Sequence, residues 1–321
     1  MLRAMDSAVS GLRAHQNKLD VIGHNIANVN TNGFKAQSYT FKDTMYQTST
    51  ASTNGTANAG GVNAAQYGYG ALMGVISMDM TASTPSYKGG FNATIDGDGF
   101  FITKAAKITM NVDGTTNDTN ELKGNDLEFT RVGQFTVDSN GYIVDGNGNF
   151  VYGFRKGDAD GVMKALRVPT KETVTKGADG WEISKSISDV IGDEYEAIDI
   201  KINKMGDVDV TLKVENAAGD EETVTLTMGQ VAIATFQNQE GLTKNGNGYY
   251  TATPSDNTGV CSAAIPGDGR ATLMPGYLEA SNVDMATEFA EMIMTERGFQ
   301  ANSKIITVSD EILSDLINMK R

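Results

Sequence analysis

Apolar positions along this chain change rhythm twice. At the start, Met5, Leu12, Leu19 and Ile26 recur every seven residues, with Ala8, Val9, Ile22 and Val29 beside them. A strict seven-residue repeat is the seam of a coiled coil, so residues 1–30 are predicted to be helical. Gly11 and Gly23 inside that stretch each cost about 1 kcal/mol against alanine, which leaves the helix marginal by itself. It needs a partner. At the other end Met285, Met292, Phe299, Ile306 and Leu313 hold the same spacing, and Phe289, Ile293, Ile305, Ile312, Leu316 and Ile317 widen the stripe. Ser281-Asn282-Val283-Asp284 has the S-x-x-D form of a capping box, so a helix is predicted over 284–320, roughly 55 Å long at 1.5 Å per residue.

Between the ends the period drops to two. Ile198, Ile200 and Ile202 alternate with polar residues, as do Val208, Val210, Leu212 and Val214, and then Val224, Leu226 and Met228. Each set predicts an antiparallel strand with one buried face. Asn140-Gly141 separates Phe135-Thr136-Val137 from Tyr142-Ile143-Val144, a strong hairpin signal because both residues tolerate positive φ. Residues 44–78 carry no charge and are rich in Gly, Asn, Thr and Ala; such a stretch orders only against a neighbouring surface. The fold class is therefore mainly β with α-helical coiled-coil termini, in nested, discontinuous domains. Residues 1–30 and 282–321 form a terminal helix pair, and 31–70 a Gly/Asn/Thr-rich linker packing against neighbours. Residues 71–156 and 231–281 form an inner β-domain, with 157–230 as a second, outer one.

Charge sharpens that division and removes several functions. With 26 Lys+Arg against 40 Asp+Glu, the 321-residue chain carries −14, which excludes a phosphate-gripping nucleic-acid binder and a polybasic membrane-surface protein. Residues 157–230 hold 16 acidic and 8 basic residues, so the outer domain is the most solvent-facing part. No run approaches the ~18 apolar residues of a membrane span. The N-terminus does not read as a Sec signal, since Asp6, Ser7 and Ser10 interrupt an apolar core and Arg13 closes it. The 36 glycines against 5 prolines suit short strands and tight turns.

Candidate chemistry is thin. One cysteine, Cys261, permits no internal disulfide, and no histidine stands near it to make a nucleophile. His15 and His24 lie nine residues apart, facing opposite sides of a helix, so no zinc site is expected. Asp96-Gly97-Asp98-Gly99 and Asp158-Ala159-Asp160-Gly161 read as turns. Asp145-Gly146-Asn147-Gly148-Asn149 begins like a calcium loop, but Phe150 stands where glycine is needed and Lys156 where glutamate is needed. No catalytic site, cofactor or metal is predicted, and lone Trp181 reads as packing. What survives is the pair of stripes. The two ends could zip together within one chain, but helices of unequal length leave about a dozen residues of the second unmatched. Leftover apolar surface implies self-association, so Met5, Leu12, Leu19, Ile26, Met285, Met292, Phe299, Ile306 and Leu313 are the predicted assembly interface.

Four segments, in order, resemble the flagellar rod and hook proteins of bacteria. They are Leu19–Lys35 preceded by Ser10-Gly11-Leu12, Ile95–Phe101, Phe129–Phe135, and Ser281–Asp284 with Glu288-Phe289 and Arg297–Lys304. His24 departs from the asparagine usual there. Within that family, Gly61–Gly70 and Leu316–Arg321 are similar to the hook branch, with a distal rod subunit as the alternative. A β-domain enzyme or glycan binder with coiled-coil ends would need converging carboxylates or aromatics, and only turn aspartates are present. The resemblance implies a structural subunit, not an enzyme, exported through the flagellar type III apparatus. It implies a helical homopolymer assembled beneath the hook cap into a hollow, flexible tube. In the hook reading the tube is extracellular, meets the distal rod protein and the hook-filament junction proteins, and transmits torque as a universal joint.

Overall fold

A computed structural model describes residues 2–55, 60–111, 119–124, 126–156, 161–168, 174–177, 180–183, 197–215, 221–267 and 271–319. Among these residues, three helices and many short strands form two compact units. One comprises Met1–Val29, Lys35–Asp79 and Val283–Arg321; the other Asn30–Phe34 and Met80–Asn282.

The first unit is built on two long helices, α1 (Leu2–Ala27) and α3 (Met285–Met319), with a short α2 (Thr119–Gly124) belonging to the other unit. The N-terminus of α3 departs from the expected capping box by one turn. Asp284, not Ser281, caps it: Oδ1 accepts the Ala286 amide at 3.0 Å and Oδ2 the Thr287 hydroxyl at 2.8 Å, satisfying donors that a helix start leaves open. Those bonds, the Thr287 hydroxyl first, hold the Asp284 carboxyl below its ordinary range.

The uncharged stretch expected as a linker is paired backbone. Gln37–Asp43 pairs antiparallel with Ala71–Met78, and Tyr46–Thr50 with Ala65–Gly68. A bridge from Thr53 to Val62 continues the same ladder outward. Thr, Tyr, Val and Ile supply β-propensity that composition alone does not register. The result is one long two-stranded arm. Its base is tied to α1: the Asn25 side chain accepts the Gln37 amide at 3.0 Å and donates to the Gln37 carbonyl at 2.8 Å.

In the second unit the expected meander is present. Ala197–Ile202, Asp207–Glu215 and Glu221–Val231 pair in sequence order, with Ile202, Val208, Val210, Leu212 and Met228 buried. The sheet does not stop at residue 230. Gly153, Phe154 and Arg155 pair with Val231, Gln230 and Gly229, and those buried residues share one core with Phe101, Phe135, Ile143, Val151 and Ile233. The acidic stretch, read as an outer insertion, thus supplies part of this core through its described strands. Phe135–Val137 and Ile143–Asp145 form the hairpin expected at Asn140-Gly141. Its turn is wider than a two-residue one: Gly141 N donates to the Asp138 carbonyl at 2.8 Å, and only Gly141 takes positive φ, 80°. The calcium-like loop is a turn, with Asp145 Oδ1 accepting the amides of Asn147 and Asn149 at 2.9 and 3.0 Å.

Candidate assembly surface

The helix pair is antiparallel, and the inner face of α3 mixes small and polar residues with a few apolar ones. Lys18 Nζ meets Glu291 Oε2 at 2.9 Å, and Asn25 Nδ2 donates to Glu288 Oε1 at 2.8 Å. A Cβ on Gly11 would lie 2.6 Å from Asn302 Nδ2, and one on Gly298 2.6 Å from His15 Cε1. Toward α1, then, α3 offers Glu288, Glu291, Thr295, Gly298, Asn302 and Ser309, spaced by threes, fours and a seven. Thr295 and Ser309 are the buried residues of that helix. Small residues let the backbones approach, and polar ones are satisfied locally, as Thr295 is by the Glu291 carbonyl at 2.7 Å.

The apolar stripe consequently points out. Phe289, Ile293, Met294, Ile305, Val308, Ile312, Leu316 and Ile317 are exposed, Ile293 at 58% and Ile317 at 66%. Of the seam residues expected from the sequence, Met285 and Phe299 are exposed while Met292, Ile306 and Leu313 are half-buried. On α1, Met5, Leu12, Leu19 and Ile26 are all half-buried, whereas Ala8, Ala14, Val21, Ile22 and Asn25 are the buried ones. Extending the pairing of Gly11 with Asn302 puts Leu2 opposite residue 311, so the last two turns of α3 run past α1. A pattern of apolar residues shows only part of the inner seam: the half-buried Met292, Ile306 and Leu313 alternate with Thr295, Asn302 and Ser309 at coiled-coil spacing, so small and polar residues take the other positions.

The arm adds a second exposed apolar surface. Met45 (82%), Tyr46, Val62, Tyr67, Leu72, Met73, Val75 and Ile76 all face solvent. No helix of the described residues is long and apolar enough to cross a membrane. Among the described residues no cluster of His, Cys, Asp or Glu could hold a metal. Cys261 is fully buried, and burial pushes its thiol up to about 12, which makes it inert.

Known proteins account for both ends of the chain. Residues 5–35 match the family described as flagella basal body rod protein, and 274–319 the one described as flagellar basal body rod FlgEFG protein C-terminal. The chain is 38% identical over 325 residues to the flagellar basal-body rod protein FlgG of Bacillus subtilis (strain 168), covering all of both chains. It belongs to the flagellar rod and hook family. In Borreliella burgdorferi it is 30% identical to the rod protein FlgG over 327 residues. To the hook protein FlgE of that organism it is 25% identical over an alignment of 464; both alignments cover all of both chains. As a member of this family the chain is a structural component of the flagellum and not an enzyme.

Proposed function

We propose that this chain is a distal rod subunit of the flagellar basal body, polymerising helically into a hollow shaft. The single observation behind this reading is the 38% identity to a rod protein with an alignment of 325 positions for a chain of 321. The hook relative needs 464 positions and reaches 25%, so the hook branch expected from residues 61–70 and 316–321 is the weaker choice. Export through the flagellar type III apparatus and self-association are retained; hook cap and hook-filament junction partners belong to the hook reading and go with it.

Polymerisation follows from the surfaces. A chain that turns Glu288, Thr295 and Asn302 inward and Ile293, Phe299 and Ile312 outward leaves its hydrophobic burial for contacts with other copies. The predicted interface residues act in that contact, Met285 and Phe299 most directly because they are already exposed. A shaft stiff enough to carry torque needs such burial repeated along a long helix, since every subunit then resists sliding against its neighbours.

The test is complementation together with microscopy. Expressed in Bacillus subtilis lacking its own FlgG, the chain is expected to restore hook assembly, and its purified polymer to be straight. Rescue of a hook-deficient strain instead, or curved tubes, overturns the rod assignment.

A further inference from the structure

Past Gln37, whose amide and carbonyl Asn25 holds, no described strand pairs with either outer edge of the arm formed by residues 37–78. Gln37–Asp43 and Tyr46–Thr50 on one side pair only with Ala71–Met78 and Ala65–Gly68 on the other, among the described residues. Each strand therefore keeps a row of outward N–H and C=O groups. Natural proteins guard such edges with lysine, proline or a short strand, because an open edge recruits another one. Here 44–78 has neither charge nor proline, and its exposed residues include Tyr46, Tyr67, Leu72 and Val75.

Charge indicates what covers it. Copies of a chain carrying −14 repel one another over most of their surface. This segment is where two copies can approach closely without desolvating a carboxylate. Resting on the reading of the chain as a polymer subunit, we propose that the arms of successive copies pair edge to edge. The outer edge of Tyr46–Thr50 of one copy, beyond Lys42 and Asp43, hydrogen-bonds the outer edge of the 65–78 strand of the next. Pairing of unlike edges is heterologous and does not close on itself, so it propagates along a helical assembly, and main-chain bonds provide the contact, as in strand addition generally. The bulges at Tyr39/Phe41 and Thr48/Thr50 set the local twist that a growing belt would follow.

Cysteine cross-linking in assembled polymer tests this, and Cys261 adds no background because it is buried. Ser49→Cys on the first strand is combined in one chain with Tyr67→Cys, Leu72→Cys or Val75→Cys on the second, at positions that are all exposed. With a short bismaleimide, at least one double variant is expected to give a covalent ladder of many chains. The single variants are expected to stay as single chains. Dimers from the single variants would mean like edges meet, and links from the arm to another copy's β unit would mean a different occupant; either overturns the proposal, as does an intact polymer with no arm cross-link. Failure of the wild-type chain to polymerise is seen by microscopy before any cross-linker is added; it would sink the subunit reading and this inference with it.

Discussion

The two units dispose of their apolar residues in opposite ways. In the β unit Phe100, Phe101, Ile102, Val151, Tyr152 and Met228 are inaccessible, and aromatic rings meet edge to face, Phe101 with Phe135 at 5.0 Å between centroids. In the helical unit the buried residues of α3 are Thr295 and Ser309, and most of its large apolar residues, Phe289, Ile293, Ile305 and Ile312 among them, face outward. The β unit is complete as a monomer. The helical unit leaves apolar residues uncovered, which the proposed contacts with other copies would bury. Stability and assembly should therefore separate by region.

The largest effect is expected in the β unit. Phe101→Ala should cost about 3–5 kcal/mol through lost burial and an unfilled cavity, seen as a lowered denaturant midpoint. Deleting 197–231 should unfold this unit outright, because Val208, Val210, Leu212 and Met228 leave the shared core. A deletion variant with a normal β-unit melt would show instead that the acidic stretch is a separable domain. Next comes the outward stripe: Phe299→Asp should leave monomer stability within about 0.5 kcal/mol, as exposed substitutions do. Its polymer would carry an unpaired buried carboxylate costing about 3 kcal/mol, a roughly hundredfold rise in critical concentration. Sedimentation of polymer against chain concentration reads both. Tubes formed at the wild-type concentration would mean the stripe is not the interface.

Glycines sharpen the contrast within the helical unit. A Cβ at Gly298 would strike the rigid His15 ring, whereas nothing lies within 4 Å of one at Gly23. Gly298→Ala should lose about 1–2 kcal/mol to overpacking even after the gain in helix propensity. Gly23→Ala should gain about 0.5–1 kcal/mol. Helical melting followed by circular dichroism gives the two signs, and equal shifts would count against a close-packed seam.

Much of this was legible beforehand because periodicity reports burial directly. Val208, Val210 and Leu212 alternate because one face of their strand is covered, and the seven-residue series at both ends marked helices that exist as α1 and α3. What escaped notice has physical reasons. The α1–α3 contact includes Gly11, Gly298, Thr295 and Asn302, where close approach takes the place of hydrophobic burial, and hydrophobicity cannot report those positions. The arm is hard to read because its strands, apart from Tyr39 and Met78, bury no face, so no period-two alternation marks them. Net charge does not mark the edge of the β core. Asp199, Lys201, Asp207 and Asp209 flank Ile202, Val208 and Val210 on the same strands, so an acidic composition coexists with a buried face.

The smallest predicted effect lies in the seam. His15 packs its ring 5.2 Å from Phe41 and against Gly298, with Nδ1 buried and without a hydrogen-bond partner. Burial, then the charge of Lys18, holds its pKa below the ordinary 6.5. The unfolded chain therefore binds a proton from about pH 6.5 downward while the folded helix pair refuses it, and stability falls with pH until the folded value is passed. Glu288 acts in the opposite sense. Burial raises its pKa above 4.5, so the folded state takes up a proton first and stability recovers as pH drops through that raised value. Lys18 pairs with Glu291 at 2.9 Å beside them. The helical unit should thus show a shallow dip just below pH 6.5, under about 1 kcal/mol for such partly exposed groups, and a rise at more acid pH. His15→Gln should erase the dip and keep the rise, and Glu288→Gln the reverse. If both variants titrate like the parent, the seam is looser in solution than its glycines require, and the inward polar face would not be what holds α1 to α3.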